Sequence, residues 1–174
     1  MTEEFLSMLH ETELLQPLEG SQVRRLAEVG RVEYWQDDAL LVEEGNISPR
    51  MLVILEGQVE VLRRDAGGIQ RAIARLGPGD MLGEMTLLLD LPRVATVRAL
   101  SDVKVFAMDR AAFDEMVAAS EPAVLRLGLE LSRGLARRLT LLNDTVLELV
   151  QENEDMRERF GASRQEAFRL WEVD

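Results

Sequence analysis

Between Gly79 and Val97 the chain reads Gly-Asp-Met-Leu-Gly-Glu-Met-Thr-Leu-Leu-Leu-Asp-Leu-Pro-Arg-Val-Ala-Thr-Val. Two charged residues here are spaced to hold one ligand from two sides. Gly83 comes just before a short helical stretch and has no side chain to block a close approach. The N–H groups of Gly83, Glu84 and Met85 then lack intrahelical acceptors and can meet an anion. Arg93 follows Pro92, whose fixed φ suits an extended entry to the next strand. Its planar guanidinium can return to the same anion and bind it bidentately, as Lys could not. Glu84 does not favour an anion, so its carboxylate suits a ligand hydroxyl. An anion, a hydroxyl and an apolar wall describe a nucleotide-like ligand.

Other chemistries are excluded by composition. The 174 residues include no cysteine and one histidine. There is no thiol nucleophile, iron–sulfur cluster or thiolate metal site. One imidazole builds no two-His or three-His metal site. It also leaves no Ser-His-Asp triad unless His10 serves. His10 follows Leu6 and Leu9 in a Glu-rich stretch, and it is expected to be solvated and incidental. No catalytic residue and no metal ligand is expected, and the chain reads as a non-enzyme. With 20 Lys+Arg against 32 Asp+Glu the net charge is −12, which argues against DNA as a partner of this chain alone. No run nears the roughly 18 apolar residues of a membrane span. The acidic start Met1-Thr2-Glu3-Glu4 is unlike a secretory signal, so a cytoplasmic location is expected.

The elements that must position these residues follow from hydrophobic period. Residues from about Glu3 to Gly30 read as helical, with Phe5, Leu6 and Leu9, then Val23, Leu26 and Ala27, at helical spacing. Ser21 is the expected N-cap of the second helix and Gly30 its C′ residue. From Arg31 the period shortens. Apolar runs at Val32–Trp35, Ala39–Val42, Met51–Leu55, Val59–Leu62, Ile69–Leu76, Val94–Leu100 and Val103–Met108 predict seven or eight strands in a sandwich or jelly-roll barrel. The 84–91 stretch interrupts them as one short helix. Ala111–Ala119 reads as another helix, and Glu121-Pro122 opens a long one.

That last helix runs to Phe160. Leu135, Leu142, Leu149 and Met156 take d positions, and Leu139, Val146, Asn153 and Phe160 take a positions. Two readings suit the stripe: a helix lying on its own barrel, or a dimer seam. The length of the stripe favours the seam, and Asn153 at an a position favours a two-stranded register. Gly161 ends the helix, and Ser163 with Glu166 forms a capping box for a short terminal helix carrying Phe168, Leu170 and Trp171. The expected division is therefore 1–120, 121–160 and 161–174.

The Gly79–Val97 stretch resembles the phosphate-binding cassette of the cyclic nucleotide-binding domain family, which includes catabolite activator proteins and protein kinase A regulatory subunits. Gly79, Asp80, Gly83, Glu84, Pro92, Arg93, Ala95, Thr96 and Val97 match its pattern. Glu44-Gly45 and Ile54-Leu55-Glu56-Gly57 fall at the family's barrel glycines, and the resemblance extends from about Phe5 to Leu142. It implies an α+β fold: a cyclic nucleotide-binding jelly-roll β-barrel flanked by N-terminal helices and a long C-terminal dimerisation helix.

The resemblance also implies roles. Glu84 is similar to the glutamate that binds the ribose 2′-hydroxyl, and Arg93 to the arginine that pairs with the cyclic phosphate. Gly83, Met85, Val94 and Ala95 lie where the family offers backbone N–H groups, with Leu82 beside them. Arg138 falls at an arginine that reaches toward the ribose glutamate. Leu142 and Asn143 stand where activator proteins place a Thr-Ser pair on the adenine; Leu142 lacks a hydroxyl, while Asn143 keeps a donor and an acceptor. Thr86 stands where Ala or Ser is commoner. Val94 offers no hydroxyl to guanine, which favours cyclic AMP over cyclic GMP.

The implied function is a cyclic-nucleotide receptor, for cyclic AMP in the first place, that dimerises and signals through an effector protein. No cofactor beyond this ligand is implied. Two alternatives stand beside it: a degenerate fold serving as a ligand-free dimeric interaction module, and a truncated activator-type transcription regulator. Activator proteins add a DNA-binding domain of roughly 60–80 residues, and Gly161 to Asp174 are too few for one.

Overall fold

The computed structural model describes residues 2–89 and 91–152. The chain divides into two compact units, Met1–Leu131 and Ser132–Asp174. The first begins with α1 (Glu3–His10) and α2 (Gly20–Val29). Eight strands follow: β1 (Arg31–Trp35), β2 (Leu40–Val42), β3 (Arg50–Glu56), β4 (Val59–Arg64), β5 (Gln70–Leu76), β6 (Met81–Leu82), β7 (Thr96–Ala99) and β8 (Val103–Asp109). A short α3 (Glu84–Leu88) lies between β6 and β7, and α4 (Arg110–Ala118) and α5 (Pro122–Glu152) close the order. The strands make two antiparallel four-stranded sheets, ordered β1-β8-β3-β6 and β2-β7-β4-β5. The class is α+β.

Two cores explain the sequence of the central strands. Met51-Leu52-Val53-Ile54-Leu55 is unbroken apolar sequence, because β3 is covered on both faces. Met51, Val53 and Leu55 join a core with α1, α2, α4 and the start of α5; Leu52 and Ile54 join the core shared by the two sheets. The same division holds on β8. Phe106 and Met108 face the helices, while Val103, Val105 and Ala107 face the other sheet. Successive strand residues point to opposite faces, so a doubly covered strand needs apolar residues throughout. Ala123, Val124, Leu127 and Leu131 seat the first turns of α5 in the helical core. Arg25 grips Glu121 with two hydrogen bonds, Nε to Oε2 at 2.6 Å and Nη2 to Oε1 at 2.8 Å, tying α2 to the residue before α5.

Several local expectations change. The two expected N-terminal helices are present, but the chain between them makes turns over 11–18 where helix was also expected. Glu19, not Ser21, is the N-cap of α2: the Glu19 N–H donates to Gln22 Oε1 at 2.9 Å, leaving Ser21 inside the first turn. Gly30 ends α2 in an extended conformation, φ −94°, not a left-handed one. Glycine is needed there for space, since a Cβ would run into the Phe106 ring and lie 2.8 Å from the Ala107 carbonyl oxygen. His10 is not a solvated bystander. Its Nε2 lies 2.9 Å from the Leu18 carbonyl oxygen and ties α1 to the turn before α2.

The second unit carries α5 onward from Ser132. Leu139, Leu142 and Leu149 are exposed on it, and Leu135 is half-buried. Asn153, Met156, Phe160, Gly161, the Ser163–Glu166 capping box and the terminal helix with Phe168, Leu170 and Trp171 lie outside the described residues. Among the described residues no helix is long and apolar enough to cross a membrane.

Candidate functional site

The site grows from a turn that only glycine accommodates. β6 pairs with β3 and ends at Leu82, whose side chain is buried in the inter-sheet core. The chain then turns through Gly83 at φ +79°, in the left-handed region, and enters α3. The first intrahelical bond is the Leu87 N–H to the Gly83 carbonyl, 3.2 Å. The N–H groups of Glu84, Met85 and Thr86 precede it, as donors at a helix start do. Thr86 is buried and its hydroxyl donates to the Gly83 carbonyl at 2.9 Å, so the departure from Ala or Ser is accommodated by a local bond.

Arg93 comes back to this turn as its spacing predicts, though from a different place. It is not the start of a strand: β7 begins at Thr96, and Val94 and Ala95 form a bend. The Arg93 N–H donates to Asn46 O at 3.0 Å, and its carbonyl accepts from the Gly45 N–H at 2.8 Å. Both partners lie in the loop after β2. Nearby, the Glu44 N–H donates to the Thr96 hydroxyl at 3.0 Å. This backbone lacing holds the Arg93 side chain inward, where the residue is 5% exposed.

The guanidinium lies against Gly83. A Cβ on Gly83 would collide with Arg93 Nη1 and stand 2.5 Å from the Arg50 carbonyl oxygen. Arg93 Nη2 donates to that same carbonyl at 2.6 Å, while its buried Nε has no hydrogen-bond partner. Burial first, and then the Arg50 charge, push the Arg93 guanidinium down to about 10, and the Glu84 charge opposes them. Glu84 is itself buried, at 8% exposure. Arg50 meets the Glu33 carboxylate at 2.9 and 3.0 Å, and its own Nε is buried without a partner. A desolvated cation with an orphaned N–H is suited to receive an anion, because an incoming negative charge restores what burial removed.

The structure thus brings Gly83, Glu84 and Arg93 together. Met85 and Val94 are exposed, Ala95 is half-buried, and Leu89 and Leu91 add exposed apolar surface in the same segment. Arg138, Leu142 and Asn143 lie on α5 in the second unit and are exposed. Sequence reasoning missed Arg50, whose carbonyl orients Arg93, and Asn46, whose carbonyl fixes the Arg93 backbone. Neither carries a local signal, since main-chain acceptors are common to every residue type. A separate groove along β1, flanked by Arg31, Tyr34 and Lys104, contains no cassette residue. Its cations are already paired, Arg31 with Glu33 and Asp109, and Lys104 with Glu56.

Residues 32–120 match the family model of the cyclic nucleotide-binding domain. The chain belongs to that family. Among its relatives is the CRP-like cAMP-activated global transcriptional regulator of Mycobacterium tuberculosis, 31% identical over 107 residues, covering 62% of this chain and 46% of that protein. The cAMP-dependent protein kinase regulatory subunit of Mucor circinelloides is 32% identical over 117 residues, covering 67% of this chain and 26% of the subunit. A solved cyclic nucleotide-binding domain from Methylobacillus flagellatus superposes with a TM-score of 0.72 at 25% identity, covering 83% of this chain and 82% of that one. The chain spans less than half the length of these two relatives. Both are named as regulatory proteins.

Proposed function

We propose that this member of the cyclic nucleotide-binding family is a receptor for cyclic AMP. The observation that carries the reading is the buried Arg93 guanidinium, packed on Gly83 and facing the Glu84 charge, with its Nε unsatisfied. In this reading Arg93 and the N–H groups of Gly83, Met85, Val94 and Ala95 hold the cyclic phosphate, and Glu84 accepts from the ribose hydroxyl. Val94 offers no hydroxyl to a guanine, so adenine is preferred. The chain binds rather than catalyses, and a jelly-roll barrel is the architecture that the two sheets support.

Output passes through α5. The exposed leucines Leu139, Leu142 and Leu149 suit a second copy of this helix, and an effector protein reads the dimer. Calorimetry with cyclic AMP and cyclic GMP tests the ligand. Cyclic AMP gives a saturable heat, and Arg93→Ala weakens it roughly 100-fold or more, since charge-assisted hydrogen bonds contribute about 1.5–3 kcal/mol each. No heat at millimolar ligand, with the fold intact by circular dichroism, leaves the ligand-free interaction module instead. Light scattering tests the dimer. Leu139→Asp with Leu142→Asp is expected to halve the mass from twice 19.6 kDa, and a wild-type monomer at tens of micromolar overturns it.

A further inference from the structure

The space between the sheets holds a second arginine beside the cassette, and the nucleotide reading gives its side chain no task. Leu52 and Ile54 of β3 face the other sheet, and alternation along the strand turns Arg50 the same way. Glu33 on β1 lies opposite Val105 of β8, which also faces the other sheet, so its side chain enters the same space. There Arg50 Nη1 donates to both Glu33 carboxylate oxygens, at 2.9 and 3.0 Å. Each side chain is only 17% exposed, so water screens this pair less than an ordinary surface ion pair.

The pair adjoins the anion site. The Arg50 carbonyl accepts from Arg93 Nη2 at 2.6 Å and lies against Gly83. Both arginines keep a buried Nε without a hydrogen-bond partner. Burial and then the Arg50 charge push the Arg93 guanidinium down, so the two cations act on each other. An anion placed on Arg93 therefore also feels whatever Arg50 charge is left uncancelled. Glu33 accepts from Arg31 Nε as well, at 2.8 Å, but Arg31 has Asp109 as a second carboxylate. Among the described residues, the charge balance at Arg50 thus rests on Glu33.

We propose that Glu33 and Arg50 set the ligand charge that the site accepts: Glu33 cancels the Arg50 charge, and the site favours a singly charged cyclic phosphate over a doubly charged open one. This rests on the cyclic AMP reading and adds a specificity device to it. With Arg50 cancelled and Glu84 facing Arg93, no surplus positive charge is left for a second negative one. Without Glu33, two partly desolvated arginines would suit a phosphate monoester, whose dianion draws on both. The effect acts through charge, so both are positioning residues that need not touch the ligand.

The test measures the affinity of the full chain for adenosine, cyclic AMP and 5′-AMP by calorimetry at about pH 8, where a phosphate monoester is doubly charged. The three share a base and carry zero, one and two negative charges. Wild type is expected to favour cyclic AMP over 5′-AMP. Glu33→Gln is expected to leave adenosine unchanged and to narrow that preference about tenfold, through a gain on 5′-AMP. Arg50→Gln is expected to widen it, because the Glu33 charge then loses one of its two arginines. Combining both changes returns the ratio towards wild type, as cancelling charges do and a damaged fold does not. Arg50→Lys keeps the charge and the ratio. Circular dichroism checks the fold of each variant, and Glu33→Gln alone decides if Arg50→Gln does not fold. A ratio that Glu33→Gln leaves unchanged overturns the inference, as do equal losses for all three ligands or a wild type that prefers 5′-AMP. Binding of neither nucleotide overturns the cyclic AMP reading itself, and this inference with it.

Discussion

Replacing Gly83 by alanine should separate the two demands that the cassette turn makes. The first is conformational: φ is +79°, and the left-handed region costs a non-glycine residue about 1–2 kcal/mol. The second is steric. The new Cβ collides with Arg93 Nη1, which can swing away, and stands 2.5 Å from Arg50 O, a main-chain atom that cannot. Overpacking of this kind adds about 1–3 kcal/mol, so Gly83→Ala is expected to lose about 2–5 kcal/mol in total. Gly68 supplies the control. Its φ is +80°, yet nothing lies within 4 Å of its Cβ position, so Gly68→Ala carries only the conformational part. Urea denaturation of both variants, with unchanged m-values, measures the difference. Calorimetry then asks whether displacing Arg93 also removes cyclic AMP binding. Equal losses at Gly68 and Gly83 would show that the guanidinium does not pack on this turn, and the anion site would have to be sought elsewhere.

Other positions test the frame around the site. Gly30→Ala has no backbone strain to overcome, but its Cβ meets the Phe106 ring, so a loss of about 1–3 kcal/mol is expected by denaturation; a neutral result would refute the close approach. Arg25 holds the Glu121 carboxyl below the ordinary glutamate range through its hydrogen bonds. Such a group stabilises the fold fully above its unfolded pKa of about 4.3, and this is lost as pH falls through the lowered folded value. Wild type should therefore exceed Glu121→Gln in Tm at neutral pH and lose that margin in acid. A margin that persists in strong acid would contradict the pairing.

Much of the fold was legible along the chain. Strand-length apolar runs between Gly and Asp turns yielded every strand except the two-residue β6, and helical spacing found the helical segments, because both patterns record which side of a local element is covered. The cassette was legible too. The glycine, the carboxylate and the arginine after proline stood out by type and spacing, whereas the left-handed φ of Gly83 emerged only from the structure.

Contacts distant in sequence were not legible. One local feature was also misread: Ser21 was expected to cap α2, and the Glu19–Gln22 bond starts the helix two residues earlier. Gly30 read as a helix stop, whereas the aromatic ring of Phe106, seventy-six positions later, makes glycine necessary. The conversion of Arg93 from a reachable cation into a buried one with an orphaned Nε depends on the Arg50 carbonyl and the 43–49 loop. A residue's type limits what it can donate or accept, and the sequence by itself determined that inventory: main-chain donors at a helix start, a carboxylate, a guanidinium, two-faced strands. Which donor is stripped of water, and which strand edge is left uncovered, depends on packing between elements far apart in the chain, and only the tertiary structure decided it.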